Sequence, residues 1–311
     1  MISHEVFLFP TKHAKLEECK VENPSNIKHQ TPNNLLNPLN LLNLPNLKNL
    51  LNINCLFSPH KINLVLNRKI KVGAVSYLNT KPLVYAFENG VMANEMELIF
   101  DYPSKVAQML IKDEIDLGLV PVAVIPEVQH AQIVSNFCIG ATNPVASVCL
   151  FSQVPIQDIK SVILDYQSRT SVALLKILLK DFWNISPDFI ASDIGFEKDI
   201  NGTTAALIIG DRALLELKHY PFVYDLAEAW QKMTNLPFVF ATWVANKTLP
   251  DEFISQFNLS IKNSLAQVDK IVESIGFPEY DLNVYFKENI DYLLDDKKME
   301  GLQLFLSKIK S

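Results

Sequence analysis

The sequence predicts an α/β protein built in two lobes, and three observations support this. From residue 70 onward, short apolar runs alternate with segments of helical spacing: Ile70–Val75 precedes Leu83–Phe87, and Met96–Phe100 precedes Lys105–Lys112. Such alternation points to a parallel sheet flanked by helices. Several runs stop at polar residues just before a helix, at the carboxyl end of a strand, where open α/β sheets bind ligands. Two apolar runs, Val148–Phe151 and Phe238–Val244, are spaced as a pair that leaves one unit and returns to it.

Composition bounds the function. The 311 residues suffice for two domains, and a net charge of -6 speaks against a general nucleic-acid binder. The four cysteines form no Cys-x-x-Cys pair, and Cys138 and Cys149 sit in apolar runs. Small core residues in a reduced, cytoplasmic setting are therefore expected, with no zinc site. No apolar run is long enough for a transmembrane helix, and the N-terminus lacks the pattern of a secretory signal. Of the six histidines, only His130 and His219 lie beyond residue 68, so the commonest general base is scarce in the folding part.

Residues 1–68 differ from the rest. Asn, Leu, Pro and Lys recur irregularly there, none of the nine glycines falls there, and Pro38 and Pro45 interrupt any helical period. We expect a disordered extension, or upstream sequence translated from an early start.

The polar strand ends follow in order. Ile70–Val75 runs into Ser76-Tyr77-Leu78-Asn79-Thr80-Lys81-Pro82-Leu83, with Pro82 tolerated in the first helical turn. The unpaired N–H groups of that helix start suit an anion, although an ordinary capped turn fits the same residues. A third buried run, Ile115–Val120, stops at Pro121. Ser147 stands where a polar loop meets the run Val148–Phe151. Ser161–Asp165 runs into Tyr166-Gln167-Ser168-Arg169-Thr170-Ser171 and then a helix. This is the strongest anion signal in the chain: hydroxyls at a helix start, the helix dipole, and a guanidinium for a bidentate partner. Simple capping by Ser168 or Thr170 is compatible with it. Asp211 follows the buried run Thr204–Gly210, either orienting a pocket group or capping a helix. From Pro250 on the chain reads as helical, with no catalytic motif.

Taken together, Ser76-Tyr77-Leu78-Asn79-x-x-Pro82-Leu83, Val145-x-Ser147-Val148-x-Leu150-Phe151-Ser152, Ser168-Arg169-Thr170-Ser171, the Gly210-Asp211 turn and the Leu236-Pro237-Phe238-Val239-Phe240 run resemble the chorismate dehydratases of the MqnA family. The resemblance covers nearly all of 70–245. It implies a two-lobed periplasmic-binding-protein type II fold with the active site in the cleft. One lobe would span 69–150 plus 242–311 and the other 151–241. It implies dehydration of chorismate to 3-[(1-carboxyvinyl)oxy]benzoate, with a small-molecule substrate and no metal or redox cofactor. By that resemblance Asn79 and Ser147 are the expected catalytic residues. Ser76, Ser168, Arg169, Thr170, Ser171 and Asp211 would bind substrate. No His or Glu base stands in these motifs, so a substrate carboxylate could take the proton while the protein positions the groups. Two alternatives stay open: 1,4-dihydroxy-6-naphthoate synthase of the same pathway, and a non-catalytic solute-binding protein for an anionic metabolite.

Overall fold

Gly73 shows how tightly the first strand is held, because a Cβ there would lie 2.6 Å from the Ile115 side chain and 2.9 Å from that of Val106. The computed structural model describes residues 68–310, so the expected extension falls almost wholly outside the described residues.

Four strands come first: β1 (Ile70–Val75), β2 (Met96–Asp101), β3 (Leu117–Pro121) and β4 (Gln132–Ala141). Five follow: β5 (Val148–Ser152), β6 (Ser161–Leu164), β7 (Asp188–Ala191), β8 (Thr204–Ile209) and β9 (Phe222–Asp225). The last two are β10 (Phe238–Ala245) and β11 (Asp291–Leu293). The helices are α1 (Lys81–Glu88), α2 (Pro103–Ile111), α3 (Arg169–Asp181), α4 (Asp211–Glu216), α5 (Leu226–Thr234), α6 (Asp251–Leu265), α7 (Val268–Ser274), the single turn α8 (Leu282–Val284) and α9 (Asp296–Lys308).

The strands form two sheets. The first has the order β11-β4-β10-β3-β1-β2, the second β7-β6-β8-β5-β9. Both are mixed rather than parallel. β1 runs parallel to β2 and β3, but β10 enters between β3 and β4 antiparallel to both. In the second sheet β6 is parallel to β7 and β8, while β5 runs antiparallel to β8 and β9. The returning strands cause this, since a chain that leaves one sheet and re-enters it need not re-enter in the same direction. Val148–Phe151, expected as a crossing strand, lies wholly in the second sheet, so the two passages between sheets fall at 142–147 and 226–237.

The crossings are fixed by packing. β5 and β10 are buried along their whole length, as strands covered on both faces must be. Trp230 of α5 meets Phe238 of β10 edge-on at 5.3 Å, and Phe238 meets Phe305 of α9 at 5.1 Å. Phe87 of α1 stacks on Phe257 of α6 at 4.9 Å, and Phe257 in turn meets Trp243 of β10. The tail departs from the helical expectation. A π-helical turn, Tyr285–Asn289, and the edge strand β11 interrupt it. Lys298 of α9 is buried and pairs with Asp291 of β11 at 2.6 Å, so α9 and the edge strand are locked together. Among the described residues no helix is long and apolar enough to cross a membrane.

Candidate active site

The carboxyl ends of β1, β3 and β8 meet at a cavity between the two sheets, as the topology of open α/β sheets dictates. It is lined by Tyr77, Asn79, Ser147, Ser168, Ser171 and Gly210, with Val75, Pro103, Pro121, Ile139, Ile209, Phe240 and Ala241 among its apolar walls. No charged side chain is among the described lining residues. The enclosed space is about 50 Å³, against roughly 300–1,000 Å³ for ordinary ligand pockets. The walls must part to admit a ring-sized ligand.

Asn79 reaches the cavity because the chain turns directly after β1. Leu78–Thr80 forms a 3₁₀ turn that leads into α1, and Asn79 and Thr80 are buried in it. The Asn79 carbonyl accepts a hydrogen bond from the Tyr292 hydroxyl at 3.0 Å.

Ser147 is delivered by a tight turn. Its N–H donates to the Val145 carbonyl at 2.7 Å, across Ala146, whose φ is +61°. A three-residue turn through a non-glycine residue at positive φ is strained, and such strain clusters at functional sites. Asp225, at the end of β9, holds the turn by accepting the Ala146 N–H at 2.7 Å, and it caps α5 through the N–H groups of Ala227 and Glu228. Burial raises the Asp225 pKa, against the lowering effect of those N–H donors. The Ser147 hydroxyl is fully buried and makes no hydrogen bond in the described structure.

Ser168 caps α3, accepting the Ser171 N–H at 3.1 Å and donating to the Ser171 hydroxyl at 2.8 Å. Among the described residues no hydrogen bond claims the N–H groups of Arg169 and Thr170. Two hydroxyls and the dipole of a 13-residue helix therefore face the cavity, a neutral arrangement suited to an anion.

The remaining predicted residues are placed differently. Arg169 turns away to an exposed bidentate pair with Glu127, whose Oε2 is 3.0 Å from Nη1. A cation at the first position of a helix opposes the dipole, and Glu127 compensates it. Thr170 is buried, and its hydroxyl accepts the Ala123 N–H at 3.1 Å. Asp211 accepts the Leu78 N–H at 3.0 Å, and burial raises its pKa. Ser76 is exposed and does not line the cavity. Thus Arg169 and Thr170, expected to hold a substrate carboxylate, and Asp211, expected to bind substrate, span the cleft in this structure to segments of the first sheet. Tyr77 joins them. Its hydroxyl donates to Gln167, and its ring lies against Gly210, where a Cβ would be 3.1 Å away at a φ of +65°. Burial holds the Tyr77 phenol well above its usual range. Arg212 pairs with Asp165 and Glu197 beneath this contact at 2.7 Å each.

Neither Tyr285 nor Tyr292 carries a signal in the sequence that would mark it as a site residue. A carboxylate at a helix N-cap was the one legible signal, at Asp225. Among the described residues no group of three or more His, Cys, Asp or Glu could hold a metal ion.

Residues 70–311 match the model of a protein family described as menaquinone biosynthesis. A chorismate dehydratase of Thermus thermophilus is 26% identical over 262 residues, which cover 76% of this chain and 94% of that protein. One of Campylobacter jejuni is 27% identical over 248 residues, covering 77% and 97%. Among solved structures, a protein of Archaeoglobus fulgidus has a TM-score of 0.62 at 13% identity, covering 78% of this chain and 97% of its own. The periplasmic aliphatic sulphonate binding protein SsuA of Escherichia coli has a TM-score of 0.52 at 14% identity, covering 77% and 92%. At these identities the structural likeness is one of fold alone, that of the two-lobed periplasmic binding proteins.

Proposed function

The chain belongs to the menaquinone-biosynthesis family, and from that premise we propose that it is a chorismate dehydratase, a hydro-lyase forming 3-[(1-carboxyvinyl)oxy]benzoate and water. The observation that supports this best is the cavity itself. It joins a helix start suited to an anion to two small polar groups, Asn79 and Ser147, and presents no charged side chain among the described residues.

The reaction needs little from a base. A proton leaves the ring carbon that bears the ether oxygen, the neighbouring C–O bond breaks, and the electron pair of the C–H bond completes the aromatic ring. The proton and the hydroxide leave as water. Among the described lining residues Tyr77 is the one titratable side chain, and its phenol is held protonated. In this reading the enolpyruvyl carboxylate of the substrate takes the proton, and the protein acts by orientation and fixed dipoles. Ser168, Ser171 and the N-terminus of α3 hold a carboxylate. Asn79 and Ser147 face the leaving hydroxyl and stabilise the charge developing on it.

The test is to incubate the purified full chain with chorismate and follow product by chromatography and mass. Loss of one water with appearance of an aromatic absorbance is expected. Asn79→Ala and Ser147→Ala should each lower kcat by about 100- to 1,000-fold, as for loss of one preorganised donor. A folded protein that binds chorismate without turnover would instead be a binding protein, and the reading would fall.

A further inference from the structure

The C-terminal segment, which the sequence reads as plain helix, closes around both Asn79 and the Ser147 turn. Asn289, at the end of the π-helical turn, donates from Nδ2 to the Pro144 carbonyl at 2.9 Å, and its Oδ1 accepts the Tyr280 hydroxyl at 2.9 Å. Three residues on, the Tyr292 hydroxyl holds the Asn79 carbonyl. These bonds bracket Tyr285. Its side chain is fully buried, and its hydroxyl lies beside the side chains of Ser147 and Asn79 without a well-formed hydrogen bond to either. The Ser147 hydroxyl is likewise buried and unbonded. Two buried hydroxyls left open next to each other form an arrangement that costs stability, since each forfeits its hydration. Folded proteins keep few such groups, and each calls for an explanation. A π-turn is itself uncommon and recurs at functional sites.

We propose that Tyr285 is a positioning residue for the elimination, its phenol O–H donating to the Ser147 oxygen and its oxygen accepting the Asn79 amide once substrate is bound. This rests on the dehydratase reading above. The phenol fixes the otherwise free Ser147 rotor, so that the serine proton points at the leaving hydroxyl. Asn79 is held in the same alignment. Burial pushes the Tyr285 phenol far above its usual range, the neighbouring Ser147 and Asn79 only partly opposing this, so it stays a neutral donor throughout the working pH range. Tyr285 is not among the cavity-lining residues, so it acts through Ser147 and Asn79 rather than on the substrate.

The test is a double-mutant cycle on the full chain with chorismate as substrate. Tyr285→Phe removes only the hydroxyl. It should lower kcat by about 10- to 100-fold, in line with small misalignments of reacting groups, while KM stays within about threefold. Its Tm should hold or rise, because an unbonded buried hydroxyl is removed. Added to Ser147→Ala, Tyr285→Phe should cost clearly less than it costs in the wild type, the remaining loss passing through Asn79, because coupled residues are non-additive. Wild-type kcat in Tyr285→Phe, or losses that multiply in the double variant, overturns the assignment. Should Tyr285→Phe not fold, 3-fluorotyrosine at 285 keeps the ring and makes the phenol a stronger donor, and an unchanged kcat there overturns the assignment too. A folded wild type that does not consume chorismate overturns the dehydratase reading and this role with it. An active wild type with an equally active Tyr285→Phe overturns this role alone.

Discussion

Asp225 grips Ala146: the carboxylate oxygen stands 2.7 Å from the N–H of the residue held at positive φ, one position before Ser147. The contact crosses from the end of β9 to the first passage between the sheets. A buried acceptor thereby sets the angle at which a serine enters the cavity. Asp225→Ala should lower kcat by about 10- to 100-fold by misplacing Ser147 and cost about 1–3 kcal/mol for the stranded N–H groups. Asp225→Asn, which keeps one acceptor oxygen, should fall between it and wild type. Steady-state kinetics beside thermal melts separate the two effects, and an unchanged kcat per folded molecule would show that the turn holds its shape alone.

Arg169 should matter little to chemistry. Its pair with Glu127 is about half exposed on both sides, with relative side-chain exposures of 44% and 45%, and such surface pairs contribute about 0.2–1 kcal/mol. Arg169→Ala should change kcat/KM by no more than about fivefold. Ser168→Ala should raise KM more and lower stability by about 1 kcal/mol through the lost cap. A collapse of KM in Arg169→Ala would return the guanidinium to the substrate.

Gly301 sits inside α9 where alanine would ordinarily stabilise a helix by about 1 kcal/mol. Here a Cβ would come within 2.2 Å of the Pro237 carbonyl oxygen, in the second passage between the sheets. Overpacking of that kind costs about 1–3 kcal/mol, so the clash wins. Gly301→Ala should lower the Tm by about 2–8 °C, and a rise would mean that α9 can shift outward freely.

Asp116 should give the fold a pH signature. Burial pushes its carboxyl up, but hydrogen bonds from Arg68, Lys247 and the Lys71 N–H outweigh this and hold it well below the usual range. The folded state therefore binds this proton less readily than the unfolded chain does. The stabilisation is complete above the unfolded value of about 3.9 and is lost as pH falls through the folded one. Arg68 is 59% exposed and Lys247 35%, so solvent screening limits the gain to about 1 kcal/mol. Asp116→Asn should melt about 2–4 °C below wild type at pH 7, and the gap should narrow progressively as pH falls below about 4. An equal gap at both pH values would assign the loss to packing.

What could be read in the sequence was what local chemistry decides. Asn79 and Ser168 stand next to a strand end and a helix start, and short-range rules place both. The Arg169–Glu127 pair was not legible, because a helix start shows that a cation is near, not which carboxylate claims it; Glu127 lies 42 positions away. The Tyr292–Asn79 bond joins residues 213 positions apart, and Tyr285 is hidden in a π-turn whose sequence passes for ordinary helix. The mixed sheet order had the same cause: alternation reports that strands and helices follow one another, not the direction in which β5 and β10 enter.

The absence of charge on the cavity wall bears on how a doubly charged ligand arrives. With no cation among the described lining residues to draw it in, a dianion at long range meets the field of a chain of net charge -6, which repels it. Added salt screens that repulsion, so capture quickens as ionic strength rises, the opposite of a site built on arginines. Encounter is then slow in dilute buffer, and discrimination rests on shape and hydrogen bonding after contact rather than on attraction from a distance.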